Sequence, residues 1–291
     1  ETVRGVCGKK DTTARYMDLL LFVVRGVSVA ADALRTKGYE VEAGTNEFVT
    51  DALFSTITNA NFDDESILAR VRKGLELRDR LKARAVEAGI VLPDADELTW
   101  NGQEEEYLAK SISVGVLREP NEDLRSLKEL LMYGLKGMAA YHEHAMRLGF
   151  ADEAIHAFMQ SALARITTQT MGADELVALV LEAGQHGVQV MALLDRANTT
   201  RYGHPELTKV NIGVGKNPGI LISGHDLHDL EELLRQTEGT GVDVYTHSEM
   251  LPGHYYPAFK QYKHFVGNYG NAWWKPVSYT HLRAHETLRH L

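Results

Sequence analysis

Cysteine is nearly absent from this chain: Cys7 is the only one among 291 residues. One thiol excludes an internal disulfide framework and fits a reducing, cytoplasmic location. Long apolar runs are also missing. The best, Leu19–Val24, stops at Arg25, well short of the ~20 apolar residues a membrane-crossing helix needs. No signal-peptide pattern is present. Positive charge is in deficit, with 31 Lys and Arg against 40 Asp and Glu, a net −9. That balance argues against nucleic acid or an anionic membrane as partner. The first residue is not Met, so a missing or processed N-terminus is expected.

What the chain does have is helical periodicity. Apolar residues recur at helix spacing over 12–36, 47–60, 64–88, 121–148, 151–168 and 173–197. The first three segments resemble the last three at an offset of 111. Leu19-Leu20 matches Leu130-Leu131, Gly26 matches Gly137, and Gly38-Tyr39 matches Gly149-Phe150. Asp18, Phe22 and Arg25 fall on Glu129, Tyr133 and Lys136. The pattern predicts a duplicated three-helix unit, 12–90 and 121–197, joined by a link over 90–120. Gly26 and Gly137, inside helices, predict close helix packing.

After about residue 198 the pattern changes. Gly213, Gly215, Pro218 and Gly219 lead into Ile220-Leu221-Ile222-Ser223-Gly224-His225-Asp226. Gly219–Ser223 and Val242–Thr246 read as buried strands, and His264–Gly267 as a third. Between the first two, Leu227, Leu230, Leu233 and Leu234 share one helical face, with Asp226 as N-cap and Gly239 as stop. Strand, helix, strand at this length is a βαβ unit with parallel strands. His225 and Glu249, 24 residues apart, then reach the same carboxyl rim, where open α/β sheets bind ligands. Imidazole with carboxylate is a metal-site candidate.

Other motifs fail. Gly213-Val214-Gly215 precedes its strand, so no dinucleotide fingerprint exists, and Gly215-Lys216 lacks the rest of a P-loop. A di-iron bundle needs two ExxH motifs, and only Glu153–His156 fits. His142 and His144 point to different helix faces and read as surface or interface histidines. Thr58, Asn59 and Asn61 either end a helix or face a cavity. The final stretch, 277–291, follows no strand or helix logic and reads as a non-native tail.

These residues closely resemble one family, the hybrid-cluster (prismane, hydroxylamine reductase) proteins. The likeness runs through Val6-Cys7-Gly8-Lys9, Phe54–Asp63, Leu135-Lys136-Gly137, Tyr202-Gly203-His204-Pro205, Ile222–Leu227, Gln236–Val242 and His264–Gly270. It spans residues 2 to about 275, the first half of the family's length. The resemblance implies two three-helix bundles followed by the start of a Rossmann-like parallel α/β domain. Its domain boundaries here would be 1–11 (iron–sulfur loop remnant), 12–200 (helical) and 201–276 (truncated α/β).

The resemblance also implies two cofactors. One is a hybrid [4Fe-2O-2S] cluster held by one His, two Glu and several Cys. The His falls on His225 and the first Glu on Glu249, and the other ligands fall beyond residue 275. The second is a conventional [4Fe-4S] or [2Fe-2S] cluster on four N-terminal cysteines. Cys7 matches the last of these, and Glu1 stands where the third would be. The implied activity is reduction of hydroxylamine to ammonia and water, or of nitric oxide, with electrons from a donor protein. Non-enzymatic nitric oxide sensing or protein nitrosylation, and a carbon monoxide dehydrogenase-like enzyme, are the alternatives. As written, the chain is expected to be inactive.

Overall fold

The computed structural model describes residues 8–57 and 61–270. Contacts divide the chain into two compact units. Of the described residues, one takes those up to 143 together with 152–191, and the other takes 144–151 and 192–270.

The first unit is helical. Its long helices are α1 (Asp11–Thr36), α2 (Ala43–Ser55) and α3 (Asp64–Glu87), then α6 (Glu122–Arg147), α7 (Glu153–Thr168) and α8 (Ala173–Tyr202). All six segments expected from periodicity are present, although α2 begins earlier and ends earlier than its pattern suggested, and α8 runs on to Tyr202. Helices α1 and α6 are in register with the sequence offset at both ends (122 − 11 = 111 and 147 − 36 = 111). Aspartates start three helices: Asp63, Asp152 and Asp226 each accept the N–H two residues on. Such caps contribute about 1 kcal/mol each.

Helix α1 is the axis of this unit. Leu19, Leu20, Phe22, Val23, Val27 and Leu34 are wholly buried. Gly74 on α3 allows the approach, since a Cβ there would sit 2.6 Å from Val23. The 90–120 stretch, read as a link, has structure of its own. It folds as α4 (Asp96–Thr99), a short 3₁₀ turn, α5 (Tyr107–Val114) and another turn. This segment packs onto α1: Trp100 meets the Phe22 ring edge-on at 5.9 Å, and Lys110 lies over both rings. A Cβ at Gly26 would collide with the Glu97 carbonyl. Gly26 is thus closely packed, though by backbone of the supposed linker. At Gly137 the expectation fails among the described residues, where nothing outside its own helix lies within 4 Å of its Cβ position.

The second unit is the α/β part. Strands β1 (Gly219–Ile222), β2 (Asp243–His247) and β3 (Phe265–Tyr269) form a parallel sheet in the order β1-β2-β3. Helix α9 (Leu227–Thr237) crosses between the first two, burying Leu227, Leu230 and Leu234 against Val244, Met250, Phe259 and Tyr202, with Leu233 partly buried. Full burial of each Leu is worth about 2 kcal/mol. The βαβ expectation holds in order, direction and capping residue. The 277–291 tail and Cys7 lie outside the described residues.

Among the described residues, one helix, α8, is long and apolar enough by length and composition to cross a membrane. Uninterrupted runs missed this, because averaging over 18 residues tolerates an isolated charge such as Glu182.

Candidate metal centre at the carboxyl rim of the sheet

Register fixes the site. Ile222 pairs with Thr246 as the last bonded residues of β1 and β2. His225 and Glu249 each lie three residues further on, so the two chains leave the sheet in step. Both side chains are exposed. Each exit carries unusual backbone. Gly224 has φ +118°, closed to most side chains. Ser248 has φ +50°, and among the described residues no other non-glycine has positive φ. A serine held there costs roughly 1–2 kcal/mol, and such outliers gather at functional sites. The sequence reading passed over Ser248, and only its place between His247 and Glu249 could have drawn notice.

The Glu249 carboxyl sits in a mixed field. Desolvation raises its pKa, but hydrogen bonds from Ser248 and from its own N–H, with charge on His225 and His247, hold it below the usual carboxylate range. His247 is buried with no hydrogen-bond partner at Nδ1, a further imidazole beside the pair that sequence reasoning did not single out.

Behind the rim the scaffold is tightly bonded. Thr246 Oγ1 donates to Asn268 Oδ1 at 3.0 Å and lies 2.8 Å from His254 Nε2. The His254 ring stacks on Phe265 at 4.0 Å. Burial pushes the His254 pKa down to about 4, so the ring is neutral at pH 7. This network ties β2, β3 and the 3₁₀ segment Ser248–Tyr255 that carries Glu249. On the other side Asp226 caps α9 and faces His144 Nδ1 at 3.6 Å.

His144, partly buried against Asp226, thus fits the interface half of its reading, whereas His142 is not a surface histidine. His142 is wholly buried in the helical unit, its ring 4.3 Å from that of His156. Its Nε2 accepts the Asp152 N–H at 3.1 Å. Desolvation, and then His142, push His156 down to about 3. Its motif partner Glu153 instead pairs with Arg35 at 2.7 Å and accepts from Asn46 at 2.8 Å. Exposed Glu153, paired with Arg35, and buried His156 thus belong to a polar network linking α1, α2 and α7 and not to half of a metal motif. Asn61 caps the approach to α3, accepting the Asp63 N–H at 2.9 Å and donating to Ser66 at 3.0 Å. Thr58 and Asn59 lie outside the described residues.

Does the rim fit an iron–sulfur–oxygen cluster? Its donors are of the right kind, since imidazole and carboxylate suit oxidised iron. The strained turn and the orphaned His247 nitrogen fit a built site. The described residues contain no group of three or more His, Cys, Asp or Glu arranged to hold a metal ion. The rim offers two donors of the kind such a cluster uses.

A mostly helical unit followed by a small parallel α/β unit, with a histidine and a glutamate three residues past paired strand positions, defines a mixed α and α/β protein. This chain belongs to the Prismane/CO dehydrogenase family, whose family model matches residues 1–280. It is 61% identical over 277 residues to the hydroxylamine reductase of Desulfitobacterium hafniense, covering 94% of this chain and 50% of that protein. It is 58% identical over 274 residues to that of Bacteroides thetaiotaomicron, covering 94% and 50%, and 54% identical over 300 residues to one from Clostridium botulinum, covering 94% and 52%. The chain spans about half the length of the curated relatives it matches.

Proposed function

We propose that this chain is half of a hydroxylamine reductase, and that His225 and Glu249 are two ligands of its hybrid iron–sulfur–oxygen cluster. The observation that carries the reading is their convergence at one sheet rim, beside a strained Ser248, in a chain 61% identical to a hydroxylamine reductase. The reaction is NH₂OH + 2H⁺ + 2e⁻ → NH₃ + H₂O, with electrons from a donor protein. When bound, the cluster would supply electrons and an iron site able to take a small N–O substrate.

The chain's own residues do the rest. Asp226, by capping α9 and facing His144, fixes the loop that presents His225. Ser248 hydrogen-bonds the Glu249 carboxyl and so helps to orient it. The His254–Thr246–Asn268 network keeps that turn rigid. Cys7 would serve the second, conventional cluster. The same reading takes residues 12–200 as two duplicated bundles, supported by the matched ends of α1 and α6, and 201–276 as the opening of a Rossmann-like domain, supported by one right-sized crossover. A cytoplasmic location goes with it, supported by the single thiol.

The test is iron content, electron paramagnetic resonance and hydroxylamine turnover of a complete polypeptide carrying this half. His225→Ala and Glu249→Ala should each lose hybrid-cluster signal and turnover, while a Cys7→Ser control loses the other signal. Unaltered hybrid-cluster signal in both rim variants would remove them as ligands.

A further inference from the structure

The two matched helices of the helical unit are covered very differently. In α1, Leu19 and Phe22 are 0% exposed. Their sequence counterparts in α6, Leu130 and Tyr133, are 56% and 63% exposed. Over Phe22 lies Trp100, and against Gly26 lies the Glu97 carbonyl, both from the segment packed onto α1. Over Tyr133 and Gly137 the described residues place no such segment.

Instead α6 and α8 leave an apolar groove of about 370 Å³ between them. Tyr141 of α6 and Val180 and Met191 of α8 line it with Leu130 and Tyr133. Four helical glycines also line it: Gly134, Gly137, Gly184 and Gly187, none with a described atom outside its own helix within 4 Å of its Cβ position. A glycine inside a helix costs about 1 kcal/mol relative to alanine. Gly26 and Gly74 repay that cost by close approach. Among the described residues nothing repays that cost at these four, which points to backbone arriving from a segment outside them. Helix α8 agrees, because its most apolar 18-residue window has mean hydropathy 1.4 and is only 28% buried. A lipid surface is a poor occupant, since Glu182 pairs with Arg165 at 2.9 Å on this helix and charge is costly in hydrocarbon.

We infer that the α6–α8 groove seats a segment of the family's polypeptide half that this chain does not span, its backbone laid against Gly137 as that of Glu97 is laid against Gly26. The relatives are about twice as long as the matched region, so each carries such a half in the same molecule. Covalent linkage supplies it at high effective concentration. The inference rests on family membership and packing, not on hydroxylamine as substrate.

Hydroxyl-radical footprinting read by mass spectrometry tests it. Oxidation of Tyr133, Tyr141 and Met191 is compared between the 291-residue chain and a complete polypeptide carrying it, with mass checked by light scattering. Several-fold protection in the complete monomer is the expected result. Equal oxidation in both, protection only in a dimer, or protection only on phosphatidylcholine–phosphatidylglycerol vesicles would each overturn the inference. A Gly137→Leu variant gives an independent sign: melting temperature unchanged or raised in the 291-residue chain, lowered in the complete polypeptide. The same change in both would also overturn it. None of these readouts depends on turnover, so they stand or fall apart from the enzymatic reading.

Discussion

Two histidine clusters in this protein have opposite character. In the helical unit, His142 and His156 are buried and neutral, set among Thr50, Gln160, Asn46 and Arg35. At the sheet rim, His225 and Glu249 are exposed and sit on backbone that glycine, or a strained serine, must provide. The first cluster contains a local metal-like motif, Glu153–His156, and is structural. The second has no local motif, its members being 24 residues apart, and only the crossover unites them. Burial of the neutral rings in a helical core marks residues kept for packing. Exposure at a cost marks residues kept for chemistry.

Opposite substitutions break or sharpen that contrast. His225→Ala and Glu249→Ala in a complete polypeptide should lower turnover on the order of 100-fold or more with loss of iron. The same changes should shift the stability of the 291-residue chain by no more than about 0.5 kcal/mol. His156→Ala should do the reverse, costing about 2–4 kcal/mol in urea unfolding while leaving cluster spectra unchanged. A well-folded His156→Ala protein that had lost its hybrid cluster would erase the distinction.

Acid sharpens it further. His254 and His156 fold with pKa values of about 4 and 3, against an ordinary 6.5. Between those values the unfolded chain binds protons that the folded one refuses. Stability present above pH 6.5 should therefore fall as pH drops toward 4, by about 3 kcal/mol for His254 alone. Asp18 works against this. Burial raises it to about 6, so it favours the folded state below that pH. Urea midpoints from pH 7 to 4 should fall in the parent chain and fall less in a folded His254→Gln variant. A flat profile in both would mean that burial does not hold these rings neutral.

A smaller effect separates the matched glycines. Gly26→Ala drives a methyl into the Glu97 carbonyl and should cost about 1–3 kcal/mol. Gly137→Ala meets open space in this chain and should gain about 0.5–1 kcal/mol. Equal effects, read by thermal melts, would dissolve the contrast between α1 and α6.

Periodicity made the six long helices legible, and alternation of apolar runs with Gly224 and Asp226 made the parallel rim legible. These are signals carried by neighbours in sequence. The packing of 90–120 was not legible, because its Pro and Gly look like linker chemistry while its contacts, Trp100 on Phe22 and Glu97 on Gly26, are long-range. Nor was the burial of His142 legible, because spacing gives its direction and not what lies in that direction. Ser248 was invisible for a related reason, since a serine's φ depends on the turn around it.

Ser248 offers the smallest effect and the finest test. Left-handed backbone strains a serine by roughly 1–2 kcal/mol, and glycine removes that strain while losing more chain entropy on folding. Ser248→Gly should therefore raise the stability of the 291-residue chain slightly, by about 0.5 kcal/mol. Ser248→Ala keeps the strain and loses the hydrogen bond to Glu249, so it should bring no gain. In a complete polypeptide both should lower hybrid-cluster occupancy, because the carboxylate loses the group that holds it. Greater stability with poorer iron loading is the signature of a turn strained to place a ligand. If Ser248→Gly raised stability and left iron content and spectra untouched, the strain would belong to the turn alone, and the contrast between rim and core would rest on exposure only.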